Sequence, residues 1–458
     1  MKNCLFIVFM ILVFHLGYTQ QTDFEIRYSI EQSNEKLGEM EHIDSDAIAV
    51  ASSVDLLIQL HDNGSFTNGF GNGFYIYHDL EKEMILSFSN DTLYNAVPLY
   101  SVIDYRVAEY NNRFFLKSTL EAEEAGNMFG DLVNLESIFG IEHPGDNVRD
   151  SIDVKTTKNS AIYSKFGDEI VHVRYSKTEV PKIYLGAFAK YLTYKLEIHP
   201  SIQEDIIKTK LVPEYIQFSY KNVGVKSTKT YELVNAEKVN NAPTDIYSKK
   251  RFSFQRNAAN IGGIIDFMMN YTLFNEVKQA DSTLYFKEAK ELSDKGENLS
   301  GLLRLLEYLL TTDIQPTQQL REIVSKQKTD PQLASFLRCM SPPQTKMDAE
   351  LKISILNELI ETNVEFGYVM NIFVANYIEQ ENQNQSVDNF YKALSKNPYI
   401  TGVWLDLGKI FVGRYQYDDA WKCYGVMLNL NSNHTLAKEV AGLKANLKKN
   451  YPAYFLVD

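Results

Sequence analysis

Cysteine is the scarcest informative residue in this sequence, with three copies among 458 residues. One of them, Cys4, lies in the apolar segment at the start of the chain, which leaves only Cys339 and Cys423. Two cysteines do not make the disulfide framework of a small exported protein. Both fall on predicted helices far apart in the sequence, where the strict geometry of a disulfide is hard to meet. We therefore expect two reduced and buried thiols.

Positive charge is also in deficit, because 46 Lys and Arg residues face 59 Asp and Glu residues. The formal net charge is −13 at pH 7. A protein with this balance lacks the basic surface that holds nucleic acid or an anionic membrane by long-range electrostatics. The composition therefore argues against a nucleic-acid partner.

Only one long apolar run occurs, and it lies at the N-terminus. The sequence MKNCLFIVFMILVFHLGYTQQ has one Lys, an apolar run from Cys4 to Phe14, and then small or polar residues. This order is that of a secretory signal peptide, and the run is too short to span a bilayer comfortably. We predict that residues 1–20 are removed and that the mature protein is periplasmic or extracellular, with no stable membrane span. An uncleaved N-terminal anchor is the alternative.

Sequence motifs for catalysis and metal binding are missing as well. The chain has no H-E-x-x-H, G-x-S-x-G, EF-hand or C-x-x-C motif. His42, Asp44 and Asp46 would share one face of a strand, but no second cluster of ligands completes a metal site. A carboxylate–histidine pair in residues 168–172 lacks a nucleophile motif beside it. The sequence thus favours a protein that is not an enzyme and binds neither metal nor cofactor.

Aromatic and β-forming residues are plentiful instead. The chain has 29 Tyr and 26 Phe, and residues of this kind favour strands. Between residues 21 and 236, polar and apolar side chains alternate or β-formers cluster, which predicts an antiparallel sheet with one buried face. The predicted strands are 24–32, 73–79, 84–91, 113–120, 169–175, 215–221 and 230–236. Helical patterns interrupt them at 120–140 and 185–198, so this part is a β-rich α+β domain.

Strand patterns end after residue 236. Residues 237–256 are polar, with one Pro and a basic cluster, and we predict a linker there. From residue 257 to residue 458 apolar side chains recur at helical spacing, in pairs of helices joined by short turns. This pattern is typical of an α-solenoid. The predicted fold class is α+β, with an N-terminal antiparallel β-rich domain and a few helices, followed by an all-α domain.

One stretch of the helical part, WLDLGKIFVGRYQYDDAWKCY at residues 404–424, follows a 34-residue frame. Its packing positions hold Trp404, Leu407, Gly408, Phe411, Ala420 and Tyr424, and an in-phase copy begins at Met370. Residues 367–434 therefore resemble two copies of the tetratricopeptide repeat (TPR), and earlier helix pairs from residue 257 are compatible with it. The resemblance implies paired helices that stack around a concave groove. Val374 departs from the small residue that is usual at its position.

The resemblance also implies which side chains line the groove. These are Tyr368, Asn371 and Ile378 from the first repeat and Leu405, Lys409 and Val412 from the second. The Lys and Asn set with which some TPR proteins clamp a carboxyl terminus is missing, because Asn371, Ala375 and Asp406 occupy those positions. The groove is mixed and mildly apolar, which suits a protein or peptide segment. The alternative is that the groove is covered by the protein's own chain.

Three functions are consistent with these patterns. The leading prediction is an exported, non-catalytic scaffold or adaptor that recruits a protein or peptide partner through the groove. An exported hydrolase with its site in the β-rich domain is the first alternative. An envelope carrier that holds an apolar ligand against the sheet is the second, and it requires a uniformly apolar lining of strands 73–91 and 215–221.

Overall fold

The computed structural model describes residues 22–36, 54–69, 73–90, 92–119, 152–165, 167–196, 200–222, 225–240, 260–277 and 280–456. Residues 1–20, the HIDSD cluster at 42–46 and the predicted helix 120–140 lie outside the described residues. The same is true of residues 241–259 in the predicted linker. An antiparallel sheet precedes a run of helices in the described part, so the predicted α+β fold class is confirmed.

Eleven strands of the described chain form one sheet. They are β1 (Thr22–Lys36), β2 (Val54–Leu60), β3 (Phe66–Gly69), β4 (Phe74–Asp79), β5 (Met84–Ser89), β6 (Thr92–Pro98), β7 (Ile152–Thr156), β8 (Ser160–Lys165), β9 (Asp168–Glu179), β10 (Leu211–Asn222) and β11 (Val225–Asn240). Their order is β6-β5-β4-β3-β2-β1-β11-β10-β9-β8-β7. Two meanders therefore meet where β1 pairs with β11, in an antiparallel register that runs from Thr22 opposite Asn240 to Lys36 opposite Val225.

Three helices accompany the sheet: α1 (Tyr100–Thr119), α2 (Leu185–Tyr191) and α3 (Pro200–Thr209). A π-helical turn, Leu192–Leu196, follows α2, where the sequence predicted one helix over 185–198. The predicted strand 113–120 is wrong, because these residues continue α1 to Thr119. A short apolar run cannot be assigned to strand or helix by its period alone. Here the helix that begins at Tyr100 continues through the run.

Eleven α-helices follow in the part of the chain that the structure describes after residue 259. They are α4 (Ile261–Phe274), α5 (Ser282–Asp294), α6 (Asn298–Thr312), α7 (Thr317–Val324), α8 (Pro331–Cys339), α9 (Lys346–Thr362), α10 (Tyr368–Ile378), α11 (Gln383–Lys396), α12 (Thr401–Gly413), α13 (Tyr417–Leu430) and α14 (Ala437–Asn450). No helix among the described residues is both long enough and apolar enough to cross a bilayer. Cys339 and Cys423 lie in α8 and α13 and are buried and unpaired.

The chain divides into two compact units. The first, called the β unit here, comprises residues 1–94, 103–252 and 448–458, and the second, called the helical unit, comprises residues 95–102 and 253–447. Strand β11 continues to Asn240, so it extends into the segment that the sequence assigned to a linker. The C-terminal segment belongs to the β unit, where the Lys190 ammonium donates a hydrogen bond of 2.7 Å to the carbonyl oxygen of Ala453 and another to that of Phe455.

Candidate functional site

The residues that carry the repeat pattern are packing residues. Trp404 is fully buried, and its indole N–H donates to the carbonyl oxygen of Pro398 at 3.0 Å. Gly408 in α12 lies against the ring of Tyr424 in α13, so a Cβ atom at residue 408 would be 2.6 Å from Cδ1 of that ring and closer still to Cε1. Ala420 is also fully buried. These side chains hold α12 against α13 and offer no surface to a ligand.

Helix α6 covers the first turns of α10 and α12. The hydroxyl of Thr401, at the start of α12, donates to the carbonyl oxygen of Thr311 at 2.9 Å. Asn371 and Leu405, two of the predicted groove residues, are only 6% and 1% exposed. A partner therefore cannot contact these two side chains while the helical unit is folded.

A buried charge holds α6 in this position. Glu307 in α6 is 2% exposed and accepts hydrogen bonds from the Arg304 guanidinium and from the side-chain amide of Asn397. Arg304 also binds the Glu288 carboxylate, at 2.7 Å. Burial raises the pKa of Tyr368, another predicted groove residue, and the neighbouring Glu307 charge raises it further. Tyr368 therefore belongs to this internal network.

The other half of the predicted groove is open. Lys409 is exposed, whereas Ile378 and Val412 are half-buried. The Lys409 ammonium lies 2.9 Å from the Glu439 carboxylate of α14. Each of these three side chains has surface that a partner could reach, unlike Asn371 and Leu405.

Acidic side chains surround Lys409. Burial raises the pKa of Asp406 to about 6; the Lys409 charge opposes this shift, and Glu379 and Glu439 add to it. Residues Glu379, Asp406, Lys409 and Glu439 are named the acidic ridge here. It carries three carboxyl groups and one ammonium group, so its net charge is negative when the carboxyl groups are ionised.

Apolar side chains flank the acidic ridge. Leu436 and Leu443 are 37% and 41% exposed. Glu439 and Leu443 are four residues apart and lie along one side of α14, and Leu436 lies in the turn that precedes this helix. The exposed surface around Lys409 is therefore acidic and partly apolar.

A second cluster lies in the β unit, where Asp23, His61 and Thr67 form a chain of hydrogen bonds. His61 Nδ1 is 3.0 Å from Asp23 Oδ1, and His61 Nε2 is 2.8 Å from Thr67 Oγ1. Asp23 is 5% exposed, and the His61 side chain is 13% exposed. Carboxylate, imidazole and hydroxyl follow one another in the order found in the triads of hydrolases.

The sheet register brings these three residues together. Phe24 pairs with Leu60 across β1 and β2, so the next residues, Asp23 and His61, are neighbours at the end of that pair. Gln59 lies opposite Thr67 across β2 and β3. A turn between His61 and Phe66 joins β2 to β3, with Gly64 at a φ of 83°. No local sequence motif marks this cluster, because its three members come from three different strands or strand ends.

The opposite face of β3 and β4 is filled by side chains. The Phe66 ring stacks on the His78 ring with centroids 4.2 Å apart and meets the Tyr191 ring of α2 at 5.9 Å. Burial holds the pKa of His78 well below its usual range, and the Lys195 charge lowers it further. The buried Asn68, His78 and Tyr191 side chains have polar atoms without hydrogen-bond partners in the described structure. This face is therefore not uniformly apolar.

The other polar side chains considered as site residues do not come together in one cluster. His172 Nδ1 is 3.8 Å from Glu169, whose side chain is 43% exposed. Within the described residues no group of three or more His, Cys, Asp or Glu side chains could hold a metal ion. Compared with known proteins, the chain matches no family model and no curated protein.

Proposed function

We propose that this protein is an exported scaffold or adaptor that recruits a protein partner through its helical unit. The apolar segment at residues 1–20 supports export, because its order of charge, apolar run and small residues is that of a signal peptide. The open part of the groove supports recruitment, because it offers charged and apolar side chains on rigid helices.

We further propose that α10–α13 are two TPRs. Helices α11 and α13 begin at Gln383 and Tyr417, which are 34 residues apart, the period of this repeat. The close approach of Gly408 to Tyr424 supports the same assignment, because a small residue of one helix faces an aromatic residue of its partner. Stacked repeats of this kind form extended binding surfaces.

The acidic ridge is the observation that carries the choice of partner. Its three carboxyl groups outnumber the single ammonium of Lys409, and the partial burial of Asp406 strengthens the field of its charge. Ile378, Val412 and Leu443 add apolar surface. Such a surface is complementary to a segment that carries Lys or Arg between apolar side chains. The proposed partner is therefore a protein with a basic and apolar segment.

The carrier alternative has less support. A container for an apolar ligand requires an apolar lining, but β4 places the imidazole of His78 in the core, and β3 places the amide of Asn68 on the same face of the sheet. Both polar side chains would face such a ligand without a hydrogen bond from it, and burying a polar group without a hydrogen bond costs free energy.

Fluorescence anisotropy with labelled peptides tests the partner proposal. A short peptide of Lys, Leu and Gly should bind more tightly than its counterpart with Glu in place of Lys. Substituting Asp406→Asn together with Glu439→Gln should weaken binding of the Lys peptide by about 2- to 30-fold, because charge pairs near the surface contribute about 0.2–1 kcal/mol each. Lys409→Gln should strengthen it, because that change removes a repelling charge.

Glu350→Gln together with Glu361→Gln on α9 is the matched control, since both residues are exposed and lie outside the acidic ridge. This variant should bind the Lys peptide with unchanged affinity at moderate salt. Equal effects of the ridge and control variants, or a preference for the Glu peptide, would contradict the proposal.

A further inference from the structure

We propose that Asp23, His61 and Thr67 form an acyl-transfer centre that hydrolyses small carboxylic esters, with Thr67 Oγ1 as the nucleophile. This activity belongs to the β unit and does not depend on the proposed partner binding. It rests on three observations: the chain of hydrogen bonds, a side-chain amide on the residue paired with the nucleophile across the sheet, and partial exposure of the reacting groups.

The hydrogen bonds place each group in a defined role. With a proton on Nδ1, His61 donates to the buried Asp23 carboxylate, and the lone pair on Nε2 faces the Thr67 hydroxyl at 2.8 Å. This distance lies within the range over which a general base takes a proton. Asp23 is the positioning residue, because its carboxylate selects the tautomer and stabilises the imidazolium that forms.

We assign the donor for the developing oxyanion to Gln59, whose amide must turn from Glu25 in β1 toward Thr67 in β3 to fill this role. It lies directly opposite Thr67 in the register of β2 and β3, and side chains in such pairs have Cβ atoms about 4.5–5.5 Å apart on one face of the sheet. Its amide donates to Glu25 Oε2 at 3.4 Å, which is a long bond that engages one of its two N–H groups. Side-chain amides serve as oxyanion donors in other hydrolases.

The surroundings limit the size of the substrate. Thr67 and Gln59 are half-buried, and the ring of Tyr77 stands edge-on to the His61 ring at a centroid distance of 5.5 Å. Tyr77 is itself buried and lies opposite Thr67 across β3 and β4. An ester with a small acyl group fits this setting better than a folded peptide chain.

The reaction balances in two steps. Thr67 Oγ1 attacks the ester carbonyl carbon while its proton moves to His61 Nε2, and the ester C–O bond then breaks as that proton passes to the leaving alcohol. Water attacks the resulting acyl–Thr67 ester, giving its proton to His61 Nε2. The carboxylic acid leaves, and the proton returns to Thr67 Oγ1. The net change is the hydrolysis of one ester to an acid and an alcohol.

Hydrolysis of p-nitrophenyl acetate and labelling by a fluorophosphonate test this proposal. The full-length mature protein should hydrolyse the ester above the buffer rate. The fluorophosphonate should add to Thr67 with loss of fluoride, as located by mass spectrometry of the digest. Thr67→Val, which keeps the shape but removes the hydroxyl, should lower kcat/KM by about 100-fold or more, the usual contribution of an acid–base pair.

Conservative variants separate the chemical role from a structural one. Thr67→Ser keeps the nucleophile and should retain most of the activity and the label. Asp23→Asn should lower kcat and displace the pH profile, because the amide no longer stabilises the charged imidazole. Thr230→Val in β11 is the matched control and should leave the rate unchanged. Absence of both turnover and labelling in the wild type, a label elsewhere, or full activity in Thr67→Val would overturn the proposal.

Discussion

Replacing Gly408 with alanine tests the close packing of α12 against α13 that the structure shows. A Cβ atom at residue 408 would approach three atoms of the Tyr424 ring within 3.0 Å, a separation at which atoms must move. Tyr424 is 3% exposed, so its ring has no solvent space into which to turn. We therefore expect Gly408→Ala to destabilise the helical unit.

Two opposing effects set the size of the change. Inserting a methyl group into a packed contact costs about 1–3 kcal/mol, and the close approach to a buried ring places this site near the upper end. Alanine is favoured over glycine inside a helix by about 1 kcal/mol. The expected net loss of unfolding free energy is about 2 kcal/mol, which moves a urea midpoint by about 1 M.

Tryptophan fluorescence during urea unfolding is the assay. The chain has two Trp residues, and they are Trp404 in α12 and Trp421 in α13, so their emission follows this helix pair. Gly442→Ala in α14 is the control, because a Cβ atom there meets nothing within 4 Å. This control should raise the midpoint, since it gains helix propensity without a clash.

Replacing Tyr424 with leucine in the Gly408→Ala background removes the ring atoms that clash and should recover part of the loss. A Gly408→Ala protein that is as stable as the Gly442→Ala protein would refute the close packing of α12 against α13. It would also remove one support for the assignment of this pair as a TPR.

Three further predictions concern buried charges. Glu307→Ala should destabilise the helical unit by about 1–3 kcal/mol in urea unfolding, because the Asn397 amide loses its acceptor and Arg304 keeps only the Glu288 carboxylate; an unchanged stability would contradict this. Asp406→Asn should raise stability at pH 7 by about 1–2 kcal/mol, because the folded state raises the pKa of this carboxyl group to about 6 and so penalises its charge. That gain in stability should vanish at pH 4, where wild-type Asp406 is already protonated in the folded state. An equal gain at both pH values would contradict the prediction for Asp406→Asn. Lys190→Met should make the C-terminal segment more sensitive to carboxypeptidase, because two main-chain carbonyl groups lose their donor. The exposed Lys182→Met is the control, and equal digestion of both proteins would argue against this anchor.

The α+β fold class could be predicted because each part of the chain has its own period. Alternation of polar and apolar residues before residue 236 and helical spacing of apolar residues after residue 257 are local signals. In the structure the strands end with β11, and the helices α4–α14 follow. The strand prediction for residues 113–120 is wrong because it also relied on a local signal. Aromatic residues favour strands on average, but the helix that starts at Tyr100 runs through them, because tertiary context overrides a weak preference.

The groove could be predicted only in part. The repeat frame locates the side chains that face inward, but it carries no information about what covers them. Helix α6 has the same amphipathic pattern as its neighbours, whereas the contacts that join it to them, Asn397 with Glu307 and Arg304 with Glu288, are tertiary properties. Asn371 and Leu405 were therefore grouped with Lys409, although their exposed fractions differ.

The Asp23, His61 and Thr67 cluster could not be predicted from the sequence. Its geometry depends on the register of three strands, and a shift by one residue would turn each side chain to the other face. The strands β2 and β3 were not among the predicted ones, so no pairing could be considered. The signal that could have revealed the cluster is the turn at residues 62–65, which fixes the register of the hairpin around it.

The pairing of β1 with β11 has a consequence for the order of events during synthesis. Strand β1 cannot complete its pairing with β11 until synthesis has reached Asn240. Residues 448–458 also belong to the β unit. Pairing of such distant segments is slow, because the loop between them must close first. For the export that we propose, this delay is useful, since a chain that cannot complete its sheet early stays extended and can be threaded across a membrane before it folds.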